Sequence, residues 1–359
     1  MANVLDLRRR IRSVKSTRQI TRAMKMVSAA KLRRAQERAL AARPYAERIA
    51  SVLASLKRRI EVLDPETGNL RHPLFAVRPE KRILLVVVSG DKGFAGAFNT
   101  NILKASYHFL SLCDDREVDI EPIGRKARDP MRRRYPLAAH EEVQTENPAD
   151  GEPLTRRVRN RKSRVEVVGD HPGMLEKLTH AATRELASEI IRRYTHEEID
   201  ACYLVYNEFK SVIQQRVVTE RLLPLIEPGK AVIVGAIEPT EEERQHAATV
   251  AAAAGISPFG EETRDTEAEQ FGTAEVDYIY EQPAPELLDG LLPSYVAAML
   301  FHAMAESVAA EHAARMTAMD AATNNASDMI DSLTLHMNRV RQAAITKEII
   351  EIVSGAAAL

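Results

Sequence analysis

The chain has 359 residues, too many for one small domain, with 45% hydrophobic but only 5% aromatic residues and no tryptophan. Apolar surface built from Ala, Leu, Val, Ile and Met argues against an all-β chain, and two cysteines rule out a disulfide scaffold or a Cys-rich zinc module. The net charge of −1 selects no partner by global charge, and the longest strongly apolar run, Ile83 to Val88, is six residues, so no membrane-crossing helix is expected.

The N-terminal segment is strongly basic: residues 1–60 carry 17 Lys or Arg against three acids, Asp6, Glu37 and Glu47. From Leu32 a heptad stripe runs through Ala35, Ala39, Ala42, Ala46, Ile49, Leu53, Leu56, Ile60 and Leu63. Extended backwards, the register reads Val4, Leu7, Ile11 and Val14, then meets the polar residues Arg18, Thr21, Lys25 and Ser28. There the apolar side chains shift to Ile20, Met24, Val27 and Ala30, which predicts one long helix over residues 1–63 with a locally rotated face. Pro44, lacking a backbone N–H, is expected to kink it. An Arg-rich, acid-poor start also suits a transit peptide, but the register passes residue 60 without a boundary.

The middle alternates strand and helix. Arg82–Ser89 reads as a buried strand, followed by GDKGFAGAFN and an amphipathic stretch to Cys113. Val118–Gly124 and Val165–Val168 read as further strands, a helix is expected from about Pro172 to Tyr194, and Asp200–Tyr206 with Gln215–Leu223 reads as a strand and its hairpin return. The order predicts a mostly parallel, Rossmann-like α/β domain over about 80–227 with an antiparallel edge. Two stretches read as solvated surface insertions, about 128–165, which contains RRVRNRKSR, and about 228–275. From Glu238 to Glu281 there are 12 acids and two basic residues.

Residues 284–359 form the second long helix, with the stripe Met316, Met319, Thr323, Ala326, Ile330, Leu333, Met337, Val340 and Ala344. Leu291, Leu292, Tyr295, Met299, Leu300 and Met304 extend the pattern upstream, and Pro293 lies near its start. Residues 286–359 carry nine acids and four basic residues, which complements the basic start of the chain. At about 1.5 Å per residue the two helices are roughly 80 and 105 Å long, and neither buries its stripe alone. An antiparallel two-stranded coiled coil of the two termini follows, its Ala and Met seam suited to close, adaptable packing.

The chemistry-bearing motifs are weak. Gly90, Gly93 and Gly96 follow a strand as phosphate-binding turns do, but the spacing is GxxGxxG and no GK[ST] follows, so tight strand-to-helix packing is the better reading. The histidines show no metal-ligand spacing, His196-Glu197-Glu198 sits in a polar turn, and Cys113 and Cys202 read as small buried residues. No catalytic, cofactor-binding or metal-binding residues are assigned. A nucleotide-dependent α/β enzyme and a basic coiled-coil nucleic-acid binder are the alternatives, the second weakened because the basic residues spread around the helix.

Specific stretches then resemble a known family, the γ subunits of F-type ATP synthases. They are IRSVKSTRQITRAMKMVSAAKLRRAQ with RPYAE, VVVSGDKGFAGAFN, DYIYEQPAPELLDGLLPSYV, and AARMTAMDAATNNASDMI with NRVRQAAITKEIIEIVSGAAAL. The resemblance implies a non-catalytic rotor shaft, without cofactor, that couples transmembrane proton flow to ATP synthesis or hydrolysis on the β subunits. Its implied partners are the α and β subunits, the ε subunit and the membrane c-ring. One copy per complex is implied, peripheral on the cytoplasmic face of a bacterial plasma membrane, with no nucleic acid and no membrane span of its own. By motif, Met24, Lys25, Arg315, Met316, Met319, Arg341, Gln342 and Thr346 match residues facing β subunits. Gly93, Phe94, Gly96, Tyr278, Tyr280 and Glu281 match the contacts with the rotor ring and ε. Photosynthetic relatives carry a cysteine-dependent regulatory insert near the acidic stretch; residues 224–285 contain no cysteine, so thiol regulation is unsupported.

Overall fold

Residues Val4–Arg59 form one helix, α1, and Ala284–Ala357 form the longest, α6. The computed structural model describes residues 4–59, 72–146, 153–226, 228–229, 231–256, 281–282 and 284–357. Ile60 and Leu63, at the end of the expected stripe, lie outside them. Between the long helices come β1 (Arg82–Val88), α2 (Phe98–Leu112), β2 (Glu117–Ile123), α3 (Arg125–Arg134), β3 (Ala139–Glu146), β4 (Pro153–Asn160) and β5 (Val165–Val167). Then follow α4 (His180–Thr195), β6 (Ala201–Phe209), β7 (Gln215–Leu223), β8 (Val232–Ile237) and α5 (Glu241–Ala253).

The sheet order is β5-β2-β1-β6-β7-β8. The first four strands are parallel, and β7 and β8 return antiparallel. After Arg82, β1 is apolar to its end because both sheet faces are covered, as parallel strands require. Ile83, Leu85 and Val87 pack with α2, α3 and α5; Leu84, Val86 and Val88 pack with α4 and the lower halves of α1 and α6.

The coiled coil therefore has two environments. Along one sheet face Ala39, Ile49, Leu53 and Leu56 of α1 join Leu292, Val296, Leu300 and Met304 of α6 in the main core. Higher up, Leu32 and Ala35 with Ala309, Ala313 and Met316 pack into the cluster on the other face. Beyond that the two helices rise together, with Leu7 and Ile11 on α1 and Ala326 and Ile330 on α6 buried. Pro44 lies inside the continuous α1.

Several expectations change. α4 starts at His180, capped by the Thr179 hydroxyl, because Gly173 with φ of 78° turns the chain after Pro172. The stretch read as an acidic insertion contributes both an edge strand, β8, and α5, whose Ala247, Val250 and Ala251 are buried; the sheet thus continues past residue 227. Within 128–165, α3 covers the sheet and β3 pairs antiparallel with β4 as a separate two-stranded ribbon. A window of α6 with mean hydropathy 1.4 is long and apolar enough to cross a membrane by length and composition alone, a test that core helices also meet. Half of that window is buried in the protein, where its alanines and methionines form the seam and core.

Candidate functional site

The expected rotation of the α1 face does not occur. Thr21 and Ser28 are buried while Ile20 and Val27 are 58% and 55% exposed, so the heptad register runs straight through the polar positions. The partner helix makes this possible by offering matched polar groups. Lys25 Nζ donates to Asp320 Oδ1 at 2.5 Å, the Thr21 and Thr323 hydroxyls lie 2.8 Å apart, and Arg18 Nη1 reaches Ser327 Oγ at 3.5 Å. Polar seam residues with partners keep register at some cost in stability.

A second arrangement lies where the coil leaves the sheet. Asn99 Oδ1 accepts from Gly90 N at 3.0 Å, and Asp91 Oδ1 accepts from the backbone N–H groups of Arg125 and Gly173 at 3.1 and 2.9 Å, which fixes the turn after β1. Glu311 of α6 lies over that turn: a Cβ built on Gly90 would sit 2.6 Å from Glu311 Oε1. Arg315 bonds this carboxylate through Nη2 and donates to Gly93 O at 3.4 Å. The glycine turn thus receives a carboxylate of its own chain where a phosphate would lie in a nucleotide-binding protein.

Arg315 Nη1 also lies 3.2 Å from His312 Nδ1. A guanidinium only donates, so this nitrogen accepts and the imidazole is neutral. Burial, then Arg315, Lys31 and Lys92, push the His312 pKa down to about 4. Two further bonds tie α6 to β6: Asn207 N donates to Ser307 Oγ at 3.0 Å and Phe209 N to Glu306 Oε2 at 3.4 Å.

The residues singled out from sequence fall into three groups. Arg315, Met316 and Met319 are 9%, 0% and 5% exposed, taken up by the chain's own core and seam, and Lys25 points across the seam. Met316 and Met319 therefore offer little surface of their own outside the chain. Met24 is half-buried beside the seam. Arg341, Gln342 and Thr346 are exposed on the last turns of α6, a stretch that also exposes Ile345, Ile349, Ile352 and Val353. Phe94 is 71% exposed and holds φ of 62°, a left-handed conformation rare for an aromatic residue. Gly93 and Gly96 flank it, with φ of 54° at Gly96. Glu281 is exposed, and Tyr278 and Tyr280 lie outside the described residues.

Sequence reasoning missed Glu306, Ser307, Glu311 and Asp320. Their signal was polarity at buried helical positions, and it becomes readable only when α6 is set against the sheet and α1.

Known proteins bear on this architecture. The family model described as ATP synthase matches residues 3–359. The ATP synthase gamma chain of Solibacter usitatus is 43% identical over 358 residues, covering 100% of this chain and 99% of its own. That of Pelotomaculum thermopropionicum is 40% identical, with full coverage of both. A chain of the Euglena gracilis mitochondrial ATP synthase, solved with OSCP, F1 and the c-ring, shares the fold with a TM-score of 0.52 at 17% identity, covering 99% of this chain and 94% of its own. Full-length similarity at this identity, joined to the same paired terminal helices on an α/β domain, gives the conclusion that the chain belongs to the ATP synthase gamma chain family.

Proposed function

We propose that this protein is the central shaft of an F-type ATP synthase, bound peripherally at the cytoplasmic face of a bacterial plasma membrane, and that it transmits torque without performing chemistry. The carrying observation is the division of the coil: its lower half is bonded into the α/β domain, while its upper half rises as two helices. The α/β domain, with Phe94 between Gly93 and Gly96, serves as the foot on the c-ring and ε, together with Tyr278, Tyr280 and Glu281, which directly precede α6 in sequence. The exposed end of α6, with Arg341, Gln342 and Thr346, works within the ring of α and β subunits.

Lys25, Met24, Arg315, Met316 and Met319 act in this reading mainly by setting the shape and stiffness of the shaft face that β subunits meet. A nucleotide enzyme is not favoured, because Glu306, Ser307 and Glu311 of α6 lie at the strand ends where a nucleotide would bind.

The test is a cysteine placed at Arg341 in the membrane-bound complex. Oxidative cross-linking to a β subunit should stop ATP hydrolysis, and reduction should restore it. A cross-linked chain that leaves hydrolysis untouched, or a tagged chain that isolates no α and β subunits, would contradict the shaft reading.

A further inference from the structure

A cavity of about 210 Å³ lies between α2, α5, α6 and the β6–β7 hairpin. It is lined by the start of α2, which follows β1, and by Asn207 near the end of β6; the strand order reverses between these two strands, where doubly wound sheets place their ligands. Helix α6 passes along one wall with Thr317, Ala318 and Ala321, so the remaining space suits a small molecule rather than a nucleotide.

Three features of the lining point to an occupant. The first turn of α2 lines the cavity without a side-chain cap at Ala97; the Phe98 and Asn101 N–H groups are already bonded to Ala95 O and Ala97 O, so what the helix turns toward the cavity is its positive dipole end. Arg244 of α5 has a buried Nε with no hydrogen-bond partner among the described residues, although its Nη2 pairs with Glu238 at 3.0 Å. Asn207, 6% exposed, has an equally buried Oδ1 without a partner among those residues, while its backbone N–H is anchored on Ser307. The acids nearby are engaged elsewhere: Glu243 closes the α5 capping box with Thr240 N at 2.9 Å, and Glu238 holds Arg244 and Arg216.

The unfilled donor of Arg244, beside the positive end of α2, calls for an oxyanion, and an unfilled acceptor at Asn207 calls for a hydroxyl on the same ligand. We propose that this cavity binds a small protonated oxyanion of the orthophosphate class. Hydrogen phosphate carries both functions, whereas sulfate at neutral pH offers acceptors only. A bound anion would bridge α5 to α2 beside α6. This inference does not rest on the shaft reading.

Titration calorimetry of the full-length chain with orthophosphate, in phosphate-free buffer, tests it directly. Saturable binding is expected, with sulfate roughly tenfold weaker and Arg244→Gln weakening phosphate by roughly tenfold or more, the size of a lost charged hydrogen bond. Arg34→Gln, on α1 and lining a different cavity, should leave binding unchanged. Asn207→Leu should remove the preference for phosphate over sulfate; if that variant does not fold, Arg244→Gln still decides. The proposal is overturned by no saturable binding, by equal affinity for sulfate, by wild-type affinity in Arg244→Gln, or by an equal loss in Arg34→Gln, which would mean an unspecific anion effect.

Discussion

Gly90 shows how one residue is set by a partner far along the chain. Its spacing with Gly93 and Gly96 resembles a phosphate turn, but the space beside it is claimed by the Glu311 carboxylate. Gly90→Ala forces that carboxylate away from the turn and disturbs its bond with Arg315, both groups being about nine-tenths buried. A loss of about 1–3 kcal/mol, as for other overpacked sites, is expected in denaturant unfolding. Gly93→Ala is the control, since its Cβ would meet nothing nearer than the Lys126 side chain at 3.9 Å. Equal effects at the two positions would show that backbone freedom, not the carboxylate, requires glycine at 90. Sequence could indicate that a glycine mattered here. It could not name Glu311, because nothing local ties residue 90 to residue 311.

At the scale of elements, the heptad stripes of α1 and α6 and the parallel strands were legible because each is written in a local period. The interval from Arg18 to Ser28 was misread for a physical reason. Ile20 and Val27 looked like seam residues when the helix was considered alone, whereas the polar seam is stable only because Asp320, Thr323 and Ser327 stand opposite. Strand β8 and helix α5 were hidden by the acidic composition around them. The seam makes a prediction about register. Asp320→Leu leaves Lys25 partly buried without its carboxylate and should destabilise the chain, whereas the pair Lys25→Met with Asp320→Leu should recover or exceed wild-type stability. The double variant should also loosen the register. With cysteines at Thr21 and Thr323, disulfide formation should be efficient in the native seam and slower in the apolar one. Equal cross-linking rates would mean that the long apolar stretches alone fix the alignment.

For the molecule as a whole, the junction between coil and sheet carries a pH signature. His312 is held neutral, with its pKa lowered from 6.5 to about 4, so between these values the unfolded chain binds the proton more readily than the folded one. Its contribution is therefore fully present above pH 6.5 and is lost as pH falls toward about 4. His171 acts in the opposite sense, since its hydrogen bond with Glu121 raises its pKa and adds stability below the ordinary histidine value, lost as pH rises through the raised one. His312→Gln keeps an acceptor for Arg315 but removes the titration. Stability measured against pH should fall less steeply on acidification in this variant than in the wild type. Identical slopes would assign the acid sensitivity to other groups.

The division of the coil also has an elastic consequence. Torsional stiffness rises steeply with the cross-section of a rod. Where α1 and α6 lie bonded against a six-stranded sheet the section is thick, and where they rise together it is only two helices wide. A twist applied between the foot and the far end of α6 would therefore gather in the slender part above Met316 and leave the sheet nearly undeformed. The same polar pairs that keep the helices in register would then act as the spring's internal fasteners, preventing stored twist from relaxing by one helix sliding past the other.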